Sequence, residues 1–263
     1  MTEGVWAEGV GWPVLALTAV LGAMLGSFLN VCIHRWPLDQ SVVRPRSRCP
    51  GCERPIAWYD NVPIVSWLLL RGRCRGCGER ISIRYPLVEL GAALIWVYAV
   101  ARFGPGVEAL RSALFMTLLL GIGLTDARHY IIPDEFSLGG LGIGLALAGW
   151  PGGFPLARAA LGAALGFALL WAVAWLGERI FQKPAMGGGD LKMMAMIGAF
   201  LGPIGVLLTI FLGALSGTLI FGPISLRTQK LVPFGIFLAI GAFVTHVWGD
   251  LLVDWYVTRV LGL

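Results

Sequence analysis

Eight apolar runs, at residues 12–33, 85–103, 110–125, 136–150, 158–180, 191–201, 204–221 and 234–248, leave this chain few ways to fold. Stretches this apolar satisfy their backbone polar groups in a bilayer by forming helices. Only 13% of the 263 residues are charged and 57% are hydrophobic, which rules against a soluble protein of this size. The expected fold is an all-α polytopic membrane protein with about eight transmembrane helices. Residues 1–12 contain Glu3 and Glu8 but no basic residue. The first run therefore lacks the positive flank of a cleavable signal and is expected to stay in place as a helix. The net charge of +5 does not require nucleic acid, since loops on the cytoplasmic side of a membrane collect Arg and Lys anyway.

The connections between the runs are unevenly charged. Residues 34–84, 126–135, 179–192 and 222–233 hold sixteen of the twenty Lys and Arg. Placing that set in the cytoplasm puts both termini outside, and eight spans satisfy the parity. Three domains are expected: a first transmembrane helix over 1–33, a cytoplasmic insert over 34–84 and a membrane-embedded domain over 85–263.

The insert contains Cys49, Cys52, Cys74 and Cys77 as two C-x2-C pairs with 21 residues between them. Two such knuckles supply the corners of a tetrahedral four-thiolate zinc site, closed to water and hence structural. Two disulfides are the alternative, and they need an oxidising compartment. Gly51, Gly76 and Gly78 suit the tight turns. Cys32, at the end of the first run, reads as a small packing residue. The segment 58–67, WYDNVPIVSW, mixes aromatics with turn residues and is expected between the knuckles or at the interface.

Two acids stand out at the ends of apolar runs. Gly187, Gly188 and Gly189 lead into Asp190 and then a run of only eleven residues before Gly202-Pro203. Such a helix rises about 16 Å, short of a bilayer core of about 30 Å. Asp190 reads as an N-cap, either a plain one or one recessed into the membrane as a functional group. Asp126 ends the run 110–125, where a helix dipole disfavours negative charge, so another group must favour it there. Asp134, after Pro133, reads as an N-cap or as a chemical participant. Two carboxylates meeting at one membrane edge share a proton and can activate water against an amide. Glu89 is a candidate for a buried polar role, most simply a structural hydrogen bond. Lys192 reads as a snorkelling residue and Lys183 as a marker of the inner face. His34, His129 and His246 are scattered and suggest no metal cluster.

Taken together, these segments resemble the bacterial type IV prepilin peptidases, membrane enzymes of the GxGD aspartic protease class. The resemblance rests on GSFLNV at 26–31, the paired knuckles, RYPLVEL at 84–90, Asp126 with IPD at 132–134, GGGD at 187–190 and PFG at 233–235. It implies that Asp126 and Asp190 are the catalytic pair, supported by Gly187, Gly188, Gly189 and Asp134. It also implies prepilin and pseudopilin precursors as substrates, cleaved after a short basic leader at the cytoplasmic face of the bacterial inner membrane. N-methylation of the new amino terminus from S-adenosyl-L-methionine is implied too, with no donor site assignable to residues. A peptidase without methylation, a proton-coupled transporter using the acids as a relay, and a scaffold using the knuckles to bind partners are the rival readings.

Overall fold

The computed structural model describes residues 10–183, 186–228 and 234–262, without the side chains of 221–228. Glu3, Glu8 and Pro233 of the PFG element lie outside those residues. The major helices are α1 (Trp12–Arg35), α2 (Val65–Leu69), α3 (Arg84–Phe103), α4 (Val107–His129), α5 (Asp134–Ala148), α6 (Leu156–Phe181), α7 (Gly188–Thr228) and α8 (Phe234–Trp255). Among the described residues the only β-pairing is two isolated bridges.

Among the described residues six helices are long and apolar enough to cross a membrane: α1, α3, α4, α6, α7 and α8. The eight expected runs are all helical, but they do not all stand alone. α5 has only 15 residues. The runs 191–201 and 204–221 are the two arms of α7, joined across Gly202 at φ 71° and ψ −175°. Pro203 explains the break, because a residue preceding proline is driven out of the helical region and glycine alone enters this one without strain.

The chain divides into two compact units, Met1–Thr117 and Leu118–Leu263. In the first, α1 packs along α3 at backbone distance. A Cβ on Gly22 would lie 2.8 Å from the Ala93 Cα, and one on Gly26 would lie 2.7 Å from the Glu89 Cα. Small residues permit this approach, which helices in lipid use for van der Waals contact. Ala99, Ala109 and Ala113 form a small buried cluster beneath Trp96 and Val100. Trp96 Nε1 donates to Thr117 Oγ1 at 3.2 Å, satisfying an indole that would otherwise be orphaned in an apolar setting. Glu89 is 8% exposed, and its Oε2 accepts the Ile64 N–H at 2.7 Å. That is the structural hydrogen bond the sequence suggested. It also holds Ile64 at φ 62° and ψ −52°, where the Val65 N–H reaches the Pro63 carbonyl at 2.5 Å. This γ-turn is strained for a β-branched residue.

In the second unit α7 is the central element. Met193, Met194, Met196, Ile197 and Ala199 are fully buried, so its first arm is enclosed on every side. α6 lies against it through Gly162, Gly166 and Gly198; a Cβ on Gly162 would overlap the Gly198 carbonyl, and the reverse also holds. α8 joins the second arm, where Thr209 and Thr245 share a buried hydrogen bond of 3.3 Å. α5 covers a third side, with Gly140 against Met196 and Gly144 against Phe200.

Candidate active site

Asp126 lies one turn inside the end of α4, 5% exposed. Its Oδ2 accepts the Ile236 N–H at 3.0 Å, and the Gly235 N–H also donates to the carboxyl group. Gly235 and Ile236 belong to the first turn of α8, whose N–H groups have no partner within their own helix. The unfavourable dipole at the end of α4 is thus answered by the positive end of α8. Glycine is required at 235: a Cβ there would sit 2.9 Å from Asp126 Oδ2 and 2.8 Å from Ile132 Cδ1.

Asp190 is the third residue of α7, not its N-cap, because the helix begins at Gly188. Its carboxyl reaches back to accept the Gly187 N–H, as the acid of a capping box does. The three glycines are therefore split, Gly187 at the cap and Gly188 and Gly189 in the first turn. Gly188 faces open space, whereas a Cβ on Gly189 would press to 3.0 Å from Ile132 Cβ. Ile132 touches both halves of the site, since it lies against Gly189 beside Asp190 and against Gly235 beside Asp126. The two carboxyl groups come within electrostatic range of one another.

Asp134 does not cap α5 either. Pro133 holds the cap position, and no side chain bonds there. Asp134 Oδ1 and Oδ2 instead accept Lys192 Nζ at 2.7 and 2.8 Å. Lys192 is therefore an ion-pair partner rather than a snorkelling residue. The pair ties the segment after Asp126 to the first turn of α7, which carries Asp190.

In the first unit the four knuckle cysteines form one cluster, their sulfur atoms all within 4.8 Å of one another. Cys49 Sγ and Cys77 Sγ are 3.6 Å apart, near the roughly 3.8 Å edge of a tetrahedron with metal–sulfur bonds of about 2.3 Å. None of the four is in a disulfide. The two knuckles share one design. Arg48 bridges Pro55 and Arg73 bridges Arg80, each pair flanking its cysteines. In each, the residue four past the first cysteine takes positive φ, Glu53 at 55° and Gly78 at 74°. Gly51 and Gly76, expected at such turns, do not. N–H groups of Cys77 and Gly76 bring the Cys74 thiol down to about 7 from its ordinary 9.0. Cys77 goes the other way: the Glu79 N–H lowers it, but burial and the neighbouring thiols push it up to about 12. Within one cluster Cys74 is thus lowered and Cys77 raised, and a divalent cation is what lets thiols of this kind ionise together. The 58–67 segment packs against the second knuckle. Arg75 forms a bidentate pair with Asp60 at 2.7–3.1 Å, which holds that carboxyl below its usual range, and Trp67 Nε1 donates to the Ile81 carbonyl.

Residues 20–103 match the Bacterial Peptidase A24 N-terminal domain, and residues 113–222 match the Type IV leader peptidase family. A relative from Aeromonas salmonicida, named prepilin leader peptidase/N-methyltransferase, is 37% identical over 97% of this chain and 98% of its own length. The chain belongs to the type IV leader peptidase family.

Two further members carry the same name. That of Myxococcus xanthus is 46% identical over 69% of this chain and 54% of its own length. That of Pseudomonas putida is 37% identical over 90% and 91%. No solved structure matches the chain. As a type IV leader peptidase it is an aspartic endopeptidase of the membrane. The backbone N–H groups of Gly235 and Ile236 and the side chain of Ile132 complete the site, and sequence reasoning did not assign them roles. PFG and IPD pointed to these segments, but a backbone donor leaves no mark in residue identity.

Proposed function

We propose that this type IV leader peptidase removes the short basic leader from type IV prepilins and prepilin-like secretion proteins at the cytoplasmic face of the inner membrane. It then methylates the new amino terminus, with S-adenosyl-L-methionine as methyl donor. The observation that carries the reading is the meeting of Asp126 and Asp190 around Ile132, where α4, α7 and α8 converge. The names of the relatives support the substrate class and the methyl transfer, and the charge bias of the loops supports the side.

Asp126 and Asp190 are the catalytic pair in this proposal. Because the Ile236 N–H donates to Asp126 Oδ2, that oxygen stays an acceptor. The shared proton then sits on Asp126 Oδ1 or on Asp190. The unprotonated oxygen takes a proton from water as the water adds to the scissile carbonyl, and the protonated partner donates to the carbonyl oxygen. The proton taken from water then passes to the leaving amine. Gly187, Gly188, Gly189 and the Asp134–Lys192 pair hold the first turn of α7 in place. A zinc ion held by Cys49, Cys52, Cys74 and Cys77 would be structural, all four positions being filled by protein thiolates.

Mass spectrometry of a co-expressed candidate precursor tests the proposal, with loss of the leader and gain of one methyl group expected together. Asp126→Asn or Asp190→Asn should each slow cleavage by about a thousandfold or more. Cleavage at the wild-type rate in either purified variant removes the pair from catalysis. A cleaved but unmethylated product leaves a peptidase alone.

A further inference from the structure

The second knuckle carries charge that no ion pair among the described residues neutralises. Arg73 and Arg80 face each other across an antiparallel bridge, and Arg71 lies two residues earlier at φ 51°. Like charges directly opposite in such a pair repel. Arg75 has Asp60, but the guanidinium groups of Arg71, Arg73 and Arg80 have no ion pair among the described residues. These three arginines line an open-sided cavity of about 520 Å³ with Trp67, Ser82 and Ile83, and no carboxylate shares its wall.

The position of the cavity says what occupies it. Ser82 and Ile83 lead straight into α3, a membrane-spanning candidate that begins at Arg84. The cavity is therefore fixed at headgroup depth by the chain itself. Exposed apolar side chains accompany it: Ile83 in its wall is 56% exposed, and Leu68 and Leu69, which follow the wall residue Trp67 in the chain, are 60% and 78% exposed. Exposed leucines beside unpaired arginines and an indole suit the boundary between phosphates and acyl chains, and have no such use facing bulk water. We propose that Arg71, Arg73 and Arg80 bind the phosphate of an anionic phospholipid headgroup, with Leu68, Leu69 and Ile83 against the acyl-chain boundary. The lipid supplies the counter-charge that the knuckle lacks.

The full chain, reconstituted in nanodiscs of phosphatidylglycerol or of phosphatidylcholine, tests this by hydrogen exchange over residues 65–83. Slower exchange in phosphatidylglycerol is expected. Native mass spectrometry of the purified protein should show retained phosphatidylglycerol. Each Arg→Gln change at 71, 73 or 80 should weaken that retention about fivefold, and all three together on the order of a hundredfold. Zinc content reports whether the variants keep the knuckle. If the triple variant loses it, the Arg→Lys triple, which keeps the charge and should keep the lipid, and the wild-type comparison of the two lipids decide. Equal exchange in both lipids overturns the proposal. So does unchanged retention by the folded triple variant, or equal protection by inorganic phosphate, which would make this a site for soluble anions.

Discussion

Asp126 depends on one missing methyl group. Gly235 brings the first turn of α8 close enough for two N–H groups to reach the carboxyl, and a Cβ there would sit 2.9 Å from Oδ2. Gly235→Ala should displace the carboxyl or the helix and slow cleavage about a hundredfold, the cost typical of an ångström-scale misplacement. Thermal unfolding of the variant in detergent should stay close to wild type. The glycines before Asp190 should differ among themselves. Gly188 faces open space, so Gly188→Ala should cleave within about threefold of wild type, whereas Gly189→Ala presses on Ile132 and should be much slower. Rates for the two variants side by side check this. The sequence singled out all three glycines as a motif, but only the contacts rank them.

Between elements, the α6–α7 seam sets where Asp190 sits. Gly162 and Gly198 put backbone against backbone, so nothing larger fits without separating the helices. Gly198→Val should therefore destabilise the protein by about 1–3 kcal/mol, read as a lower midpoint of unfolding in detergent. The break at Gly202 is the other determinant. It limits the first arm of α7 to the fourteen residues 188–201, a rise of about 21 Å against a bilayer core of about 30 Å. The sequence announced the break through Gly202-Pro203. It could not announce that α6 would lie along both arms, Gly166 meeting Met194 in the first and Val206 in the second, nor that Lys192 would find Asp134.

For the molecule as a whole, the four-cysteine cluster, with the zinc proposed for it, would be the staple of an insert with few buried apolar residues. Its metal binding should fail in acid. Cys74 is held at about 7 in the fold against an ordinary 9.0, so its contribution is complete above pH 9 and is lost as pH falls through about 7. Because a bound metal displaces the thiol protons, elemental analysis after dialysis should show zinc retained at neutral pH and released only in acid, below the metal-free value of about 7. Cys74→Ser should release it at every pH, and unchanged zinc in that variant would remove the cluster as its site. What the sequence determined by itself was everything carried by local pattern. Apolar runs specify helices in lipid, repeated cysteine spacing specifies two knuckles, and proline after glycine specifies a break. Tertiary structure alone decided the relations between distant residues. Asp126 faces the start of α8 110 residues away, Ile132 joins the two acids, and three arginines crowd one cavity with no ion pair among the described residues. Those relations depend on helix packing at backbone distance, and periodicity along a chain carries no record of which glycine meets which helix.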